Sequence, residues 1–266
     1  VVAVTGIKGT GGMMCPTYRA VNEENLSTRG RANMLRSAMN GTLDADATDT
    51  EFLTEVMDLC IGCKPCPNAE RDGVDGPPSP LERISRHLAR ASTDECGSAC
   101  TVYGWDIVLI EPSDAVMFQS DYLDLLAGRD VERVAANTYG VMEYLEQFEL
   151  ASELPVDDPE ERLTYHGHCH QKATPKDAYA RQVLETVGYE VDELDSGCCG
   201  MVGLFGHETE HYSLSRKIGA ILFDQVEHSD GDTVVAPGAS CRTQLSAYDG
   251  CEDPPHPIEK IASVLS

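Results

Sequence analysis

The chain has 266 residues, enough for one large or two modest domains with a real core. Its 45 acidic against 20 basic residues give a formal charge of −25, which argues against nucleic acid as a partner. No apolar run reaches the roughly 18 residues that a membrane-spanning helix needs, and no signal-peptide pattern opens the sequence, so a soluble cytoplasmic protein is expected.

Only six of the basic residues are lysines, and the acidic ones are spread along the chain rather than gathered in a tail. This pattern predicts an acidic, solvated surface suited to high salt, with an ordinary acidic protein as the alternative. The chain begins at Val1 without an initiating methionine, which leaves room for a longer protein. Eleven cysteines in such a chain point to metal binding rather than to a disulfide framework.

In chain order, a β-branched and glycine-rich lead-in (1–14) runs into Cys15-Pro16. Ser27 or Thr28 is placed to cap a helix ending near Met39, with Asn40-Gly41 as its stop. A second helix is expected over 49–59, where Phe52, Val56 and Leu59 share a stripe. It leads directly into Cys60-Ile-Gly-Cys63-Lys-Pro-Cys66-Pro67.

The Cys60-x2-Cys63-x2-Cys66 spacing matches the first three ligands of a bacterial-type [4Fe-4S] run. Cys15-Pro16 has the form of the fourth ligand, so Cys15, Cys60, Cys63 and Cys66 are the candidate ligands of one cluster. Zinc on the same thiolates is the alternative, and Cys66-Pro67 also fits the terminal Cys-Pro of a shortened run.

Residues 67–80, rich in proline, glycine and charge, form the candidate linker. A short helix to about Ala91, a buried strand over 105–110 and helices over about 115–126 and 130–149 follow. From there strand and helix alternate: strand 162–167, helix 175–187, strand 189–194, helix 208–227 and strand 233–236. This order predicts an α/β layer with a mostly parallel sheet and a site at the carboxyl ends of its strands.

Cys169, Cys198, Cys199 and Cys241 each fall just after one of these strands, and Cys198-Cys199 lies between glycines. That placement makes them a candidate metal site, against the reading of buried cysteines packed as small hydrophobes. Of His166, His168 and His170, the strand-then-turn spacing lets at most one reach the site. Cys96 and Cys100 are too loosely spaced to complete a site, and Cys251 reads as incidental. A faint repeat relates 107–114 to 233–241, with Asp114 where the second copy has Cys241. The chain has no Walker, dinucleotide-binding or Ser-His-Asp pattern.

Met14-Cys-Pro-Thr-Tyr-Arg-Ala20 and Ser27-Thr-Arg-Gly-Arg-Ala32 resemble the helical ferredoxin module of FAD-linked oxidoreductases of the glycolate oxidase, D-lactate dehydrogenase and anaerobic glycerol-3-phosphate dehydrogenase group. His166-Gly-His-Cys-His-Gln-Lys-Ala173, Asp195-Ser-Gly-Cys-Cys-Gly-Met201 and Ser240-Cys-Arg-Thr-Gln244 resemble their cysteine-rich CCG domain, shared with the heterodisulfide reductase B subunit. The resemblance implies an α/β fold with a ferredoxin-like module (1–75), a degenerate first CCG half (76–160) and a second half (161–266).

It further implies an iron-sulfur electron-transfer component acting with a 2-hydroxy acid or glycerol 3-phosphate dehydrogenase. FAD would sit on a partner domain or subunit, and electrons would pass to an acceptor such as quinone, which suits a peripheral position at the inner membrane face. The full CCG pattern ends Cys-x-x-Cys, whereas Gln244 stands at its last position here. A four-cysteine site is therefore expected in the second half, iron-sulfur or zinc. The competing readings are a thiol or disulfide reductase like heterodisulfide reductase, and a zinc-stabilised interaction module.

Overall fold

The computed structural model describes residues 15–23, 27, 30, 31, 33, 34, 58, 61, 93, 104–248, 251 and 253–266. Cys60, Cys63, Cys66, Cys96, Cys100 and the candidate linker lie outside the described residues. Among the described residues the fold is α/β, mostly helical, with two small parallel sheets.

The first sheet pairs β1 (Ile107–Leu109) with β2 (Thr138–Gly140) in parallel, Val108 opposite Tyr139. Between them run α2 (Pro112–Val116), a π-helical stretch (Met117–Asp121), α3 (Tyr122–Leu125) and α4 (Arg129–Ala136). The short helix α1 (Pro16–Val21) precedes them, with proline at its start, where no hydrogen bond is lost.

The expected helix over 130–149 is two helices with β2 between them. Helix α4 stops at Asn137, whose side chain bonds back to the Arg133 carbonyl, and α5 (Val141–Gln147) restarts after Gly140. Glu143 anchors this junction: buried at 4 % exposure, it accepts from the Gly140 N–H (3.2 Å), from Gln119 Nε2 (2.7 Å) and from Lys176 Nζ (2.7 Å). A buried carboxylate needs such satisfaction to be tolerated, so the network ties the first sheet to the segment carrying Lys176.

The second sheet has order β4-β3-β5, all parallel. Strand β3 (Arg162–Tyr165) is central, β4 (Glu190–Glu193) pairs Val191 with Leu163, and β5 (Thr233–Val235) pairs Val235 with Tyr165. The connections are α6 (Cys169–Ala173), α7 (Ala178–Val187) and α8 (Thr209–Glu227); α9 (Ala239–Ser246) and α10 (Pro257–Ser263) close the chain.

The main core forms because Leu163 and Tyr165 of β3, Val183, Leu184 and Val187 of α7 and Val235 of β5 converge, together with Ile261 of α10. The chain leaves β4 on one side of β3 and returns as β5 on the other. The strand order therefore reverses at β3/β5, and in parallel sheets the crevice at such a point, beyond the carboxyl ends, is where ligands sit.

Candidate metal centre

Three loops leave the carboxyl edge of the second sheet and converge. After β3 the His166 N–H still donates to the Val235 carbonyl (3.0 Å), and after β4 the Leu194 N–H donates to the Tyr165 carbonyl (2.9 Å). These bonds extend the sheet by one residue and hold the loops in register. Cys169 then opens α6, Cys198 and Cys199 lie in the loop after β4, and Cys241 is the third residue of α9. Asp114 is likewise the third residue of α2, so the two copies of the faint repeat share a strand-turn-helix course.

The loop bearing Cys198 and Cys199 depends on glycine at Gly200. Its φ of +91° is left-handed, and a Cβ there would stand 2.5 Å from the Ser215 carbonyl oxygen of α8. The loop is thus pressed onto α8, and the Gly200 N–H is directed at Cys198 Sγ (3.3 Å).

The four cysteines expected at the site come together. Their thiols interact in series, Cys169 with Cys198, Cys198 with Cys199 and Cys199 with Cys241, and their exposures are 7, 1, 3 and 1 % in chain order. Hydrogen bonding to Cys169 and Cys199, followed by burial, pushes Cys198 well up; hydrogen bonding to Cys199 and burial do the same to Cys241. The same neighbours, Cys198 and Cys241 first, pull Cys199 well below the ordinary thiol value against its burial. The thiols thus form one hydrogen-bonded network, and it is as thiolates that cysteines ligate a metal.

A fifth donor joins them. His166 is fully buried, and one of its ring nitrogens lies within 4.8 Å of Cys199 Sγ and Cys241 Sγ, which lie as close to each other. Its Nδ1 pairs with Ser196 Oγ at 2.6 Å, the ring also interacts with the Cys199 thiol, and Nε2 makes no further hydrogen bond. Burial lowers the His166 pKa against the pull of Cys199, so the ring is held neutral. The sequence reading admitted one histidine without choosing it. The signal was present in His166 as the first residue past the strand, but its partner Ser196 is thirty positions away and becomes adjacent only through the β3/β4 pairing.

His168, 6 % exposed, packs its ring against Gly238, and His170 continues into α6. Gln244 is buried at 2 %; its Nε2 points to the Ser215 carbonyl (3.4 Å), and a Cβ on Gly219 would stand 2.4 Å from it. Its amide thus braces α9 on α8. Cys251 is buried in the cluster of Phe223 and Leu245, where burial raises its thiol. The donor set of soft sulfurs and one buried imidazole fits an iron-sulfur or zinc centre.

The N-terminal described residues reach the same nest. Ile61, between Cys60 and Cys63 in sequence, is 4 % exposed in one apolar cluster with Cys169, Cys198, Leu214 and Ile218, and Ala20 and Val21 of α1 pack on it. Asp58 Oδ2 meets His211 Nε2 at 2.8 Å, while Glu208 Oε2 holds His211 Nδ1 at 2.7 Å and Phe205 stacks on the ring. Cys15, at the entry to α1, accepts from Arg31 Nη2 at 3.4 Å.

A parallel sheet with cysteines at each strand end defines a cysteine-rich domain, and residues 163–246 match the family model described as CCG, cysteine-rich domain. The chain is homologous to two kinds of dehydrogenase. It is 35 % identical over 116 residues to a subunit of the anaerobic glycerol-3-phosphate dehydrogenase of Escherichia coli K12, covering 42 % of this chain and 28 % of that protein. It is 25 % identical over 204 residues to D-2-hydroxyglutarate dehydrogenase of Pantoea ananatis, covering 75 % of this chain and 19 % of that protein. The chain therefore spans less than a third of the length of these relatives. No solved structure matches it. Among the described residues, no helix is long and apolar enough to cross a membrane.

Proposed function

We propose that this chain is the iron-sulfur electron-transfer part of an FAD-linked dehydrogenase acting on a 2-hydroxy acid or glycerol 3-phosphate, with the flavin on a partner domain or subunit. The observation that carries the reading is the burial of the nest. Donors exposed by 7 % or less can exchange electrons with a partner but give a substrate molecule no access, which favours a relay over a disulfide-reducing catalyst. A bound iron-sulfur centre supplies one-electron storage. The chain's residues do the rest: the thiols of Cys169, Cys198, Cys199 and Cys241 bind, Ser196 orients His166, and Leu214, Ile218 and Ile61 exclude water.

The second part of the proposal is a [4Fe-4S] cluster on Cys15, Cys60, Cys63 and Cys66 in a module spanning about 1–75, followed by CCG halves over 76–160 and 161–266. The packing of Ile61 against Cys169 and Cys198 supports a short route between the two centres. Zinc in the CCG site is the alternative, since the same donors suit it.

Anaerobic purification followed by iron, acid-labile sulfide and zinc analysis tests the reading, with electron paramagnetic resonance after reduction. Iron and sulfide in amounts that fall when Cys198 is changed to Ser are expected. Zinc without iron would remove the electron-transfer function.

A further inference from the structure

We infer that His166, oriented by Ser196, is itself a ligand of the metal in the CCG site, giving a mixed thiolate and imidazole centre; this rests on the reading above that the nest binds metal. The ring is fully buried and its orientation is fixed at both ends. The backbone N–H is in the sheet, on the Val235 carbonyl, and Nδ1 is committed to Ser196 Oγ at 2.6 Å. What remains to the ring is the Cys199 thiol, with which it interacts, and a buried Nε2 that makes no other hydrogen bond. The imidazole thus faces sulfur, a weak hydrogen-bond partner, and a metal held by Cys199 and Cys241 would give its nitrogen a much stronger one. The Ser196 contact has the form of the outer hydrogen bond that fixes the tautomer and direction of a metal-binding imidazole.

Two neighbours are less well placed for the role. Gln244 turns its amide to the Ser215 carbonyl, and His168, whose Nδ1 is likewise buried without a hydrogen bond, lies outside the group that His166 forms with Cys199 and Cys241. A neutral imidazole also adds a donor without adding negative charge, so the centre is easier to reduce than one with a further thiolate. Replacement of thiolate by imidazole raises the potential of iron-sulfur centres in the same way.

The test uses the full chain purified anaerobically and labelled with ¹⁵N-histidine. X-ray absorption at the bound metal should show sulfur together with nitrogen at about 2.0–2.1 Å if the metal is zinc. If it is iron, pulsed paramagnetic resonance of the reduced protein should show a coupled nitrogen that changes with the label. The nitrogen signal should vanish in His166→Ala and persist in His168→Ala. His166→Cys should keep the metal with an all-sulfur shell and a lower potential. Should His166→Ala fail to fold by circular dichroism, Ser196→Ala leaves the ring in place, and a shifted nitrogen coupling or metal-nitrogen distance is the expected result.

An all-sulfur shell in the unmodified protein, or a nitrogen signal unchanged in both His166→Cys and Ser196→Ala, overturns the inference and leaves the electron-transfer reading standing. Zinc with a His166-dependent nitrogen supports the inference and removes that reading.

Discussion

Replacing Gly200 by alanine should cost far more than the same change at Gly203, although both glycines are left-handed, at φ +91° and +60°. Conformation alone makes a side chain in this region unfavourable by roughly 1–2 kcal/mol. At Gly203 a new Cβ meets nothing within 4 Å, so that is the whole cost, reduced by the smaller entropy of the unfolded chain. At Gly200 it meets the Ser215 carbonyl oxygen at 2.5 Å, Ile218 Cβ at 3.1 Å and the Gly219 nitrogen at 3.2 Å.

Two of those three neighbours are backbone atoms of α8, which can yield only by moving the helix, so overpacking adds about 1–3 kcal/mol. The sum, about 2–5 kcal/mol, is a large part of the 5–15 kcal/mol that holds a typical domain together. Denaturant titration of the reduced, metal-free protein measures the two variants side by side. Metal content should fall with stability at Gly200, because the same displacement moves Cys198 and Cys199, and should hold at Gly203. Equal midpoints for the two variants would refute the claim that the cysteine loop is pressed onto α8.

Cys198→Ala should abolish the metal signal of the CCG site, whereas Cys251→Ala should leave it intact and cost only packing, as iron or zinc analysis of both variants would reveal. His256, buried and pushed down to about 4 by its burial and by Arg242, stays neutral in the fold while the unfolded chain takes up a proton near 6.5. Stability should therefore fall as the pH drops from 6.5 towards 4, by about 3 kcal/mol at about 1.4 kcal/mol per unit, and His256→Asn should flatten that slope in urea titrations. His211 has the opposite sign: burial opposes its charge, but Glu208 and Asp58 outweigh it and raise the pKa above 6.5. The contribution of these contacts is complete below 6.5 and is lost as the pH rises through the raised value, so His211→Gln should lose stability in acid and little in alkali. Finally, with a charge of −25, raising salt from about 0.1 to above 1 M should raise the melting temperature; a flat or falling value would contradict the high-salt reading of the composition.

The second sheet was legible because strand and helix segments alternate, each strand closed by a glycine or cysteine turn: the segments 162–167, 189–194 and 233–236 match β3, β4 and β5 within a residue or two. Strand β2 was not legible. Thr138-Tyr139-Gly140 is too short to show a period, and what makes it a strand is pairing with β1 some thirty residues away. The helices that begin at Cys169 and Ala239 were missed for a related reason. Both start inside what reads as a turn, so the sequence shows the cysteine after the strand but not that it sits in the first turn of a helix. Side-chain chemistry at the site follows the same division. The sulfurs are visible as residue types, whereas the commitment of His166 Nδ1 to Ser196 and of Gln244 to α8 depends on which loops the sheet brings together.

The strand order explains why the loops bring together donors and not merely cysteines. Because β3 is central, the residue that follows it is flanked by the loops after β4 and β5, and a residue in that position is buried whatever its type. A thiol there would have become one more negative charge in a nest that already holds four sulfurs, with Glu111 bound to the N–H of Ala239 two residues before Cys241. An imidazole offers a donor of no charge, and its second nitrogen can be tied to Ser196, on the loop that carries Cys198 and Cys199. The proposed histidine ligand and the absent fifth thiolate are thus two sides of one electrostatic constraint. On the proposed reading, a buried redox centre in a chain with 25 excess negative charges would stay reducible through a neutral donor where the fold leaves a choice.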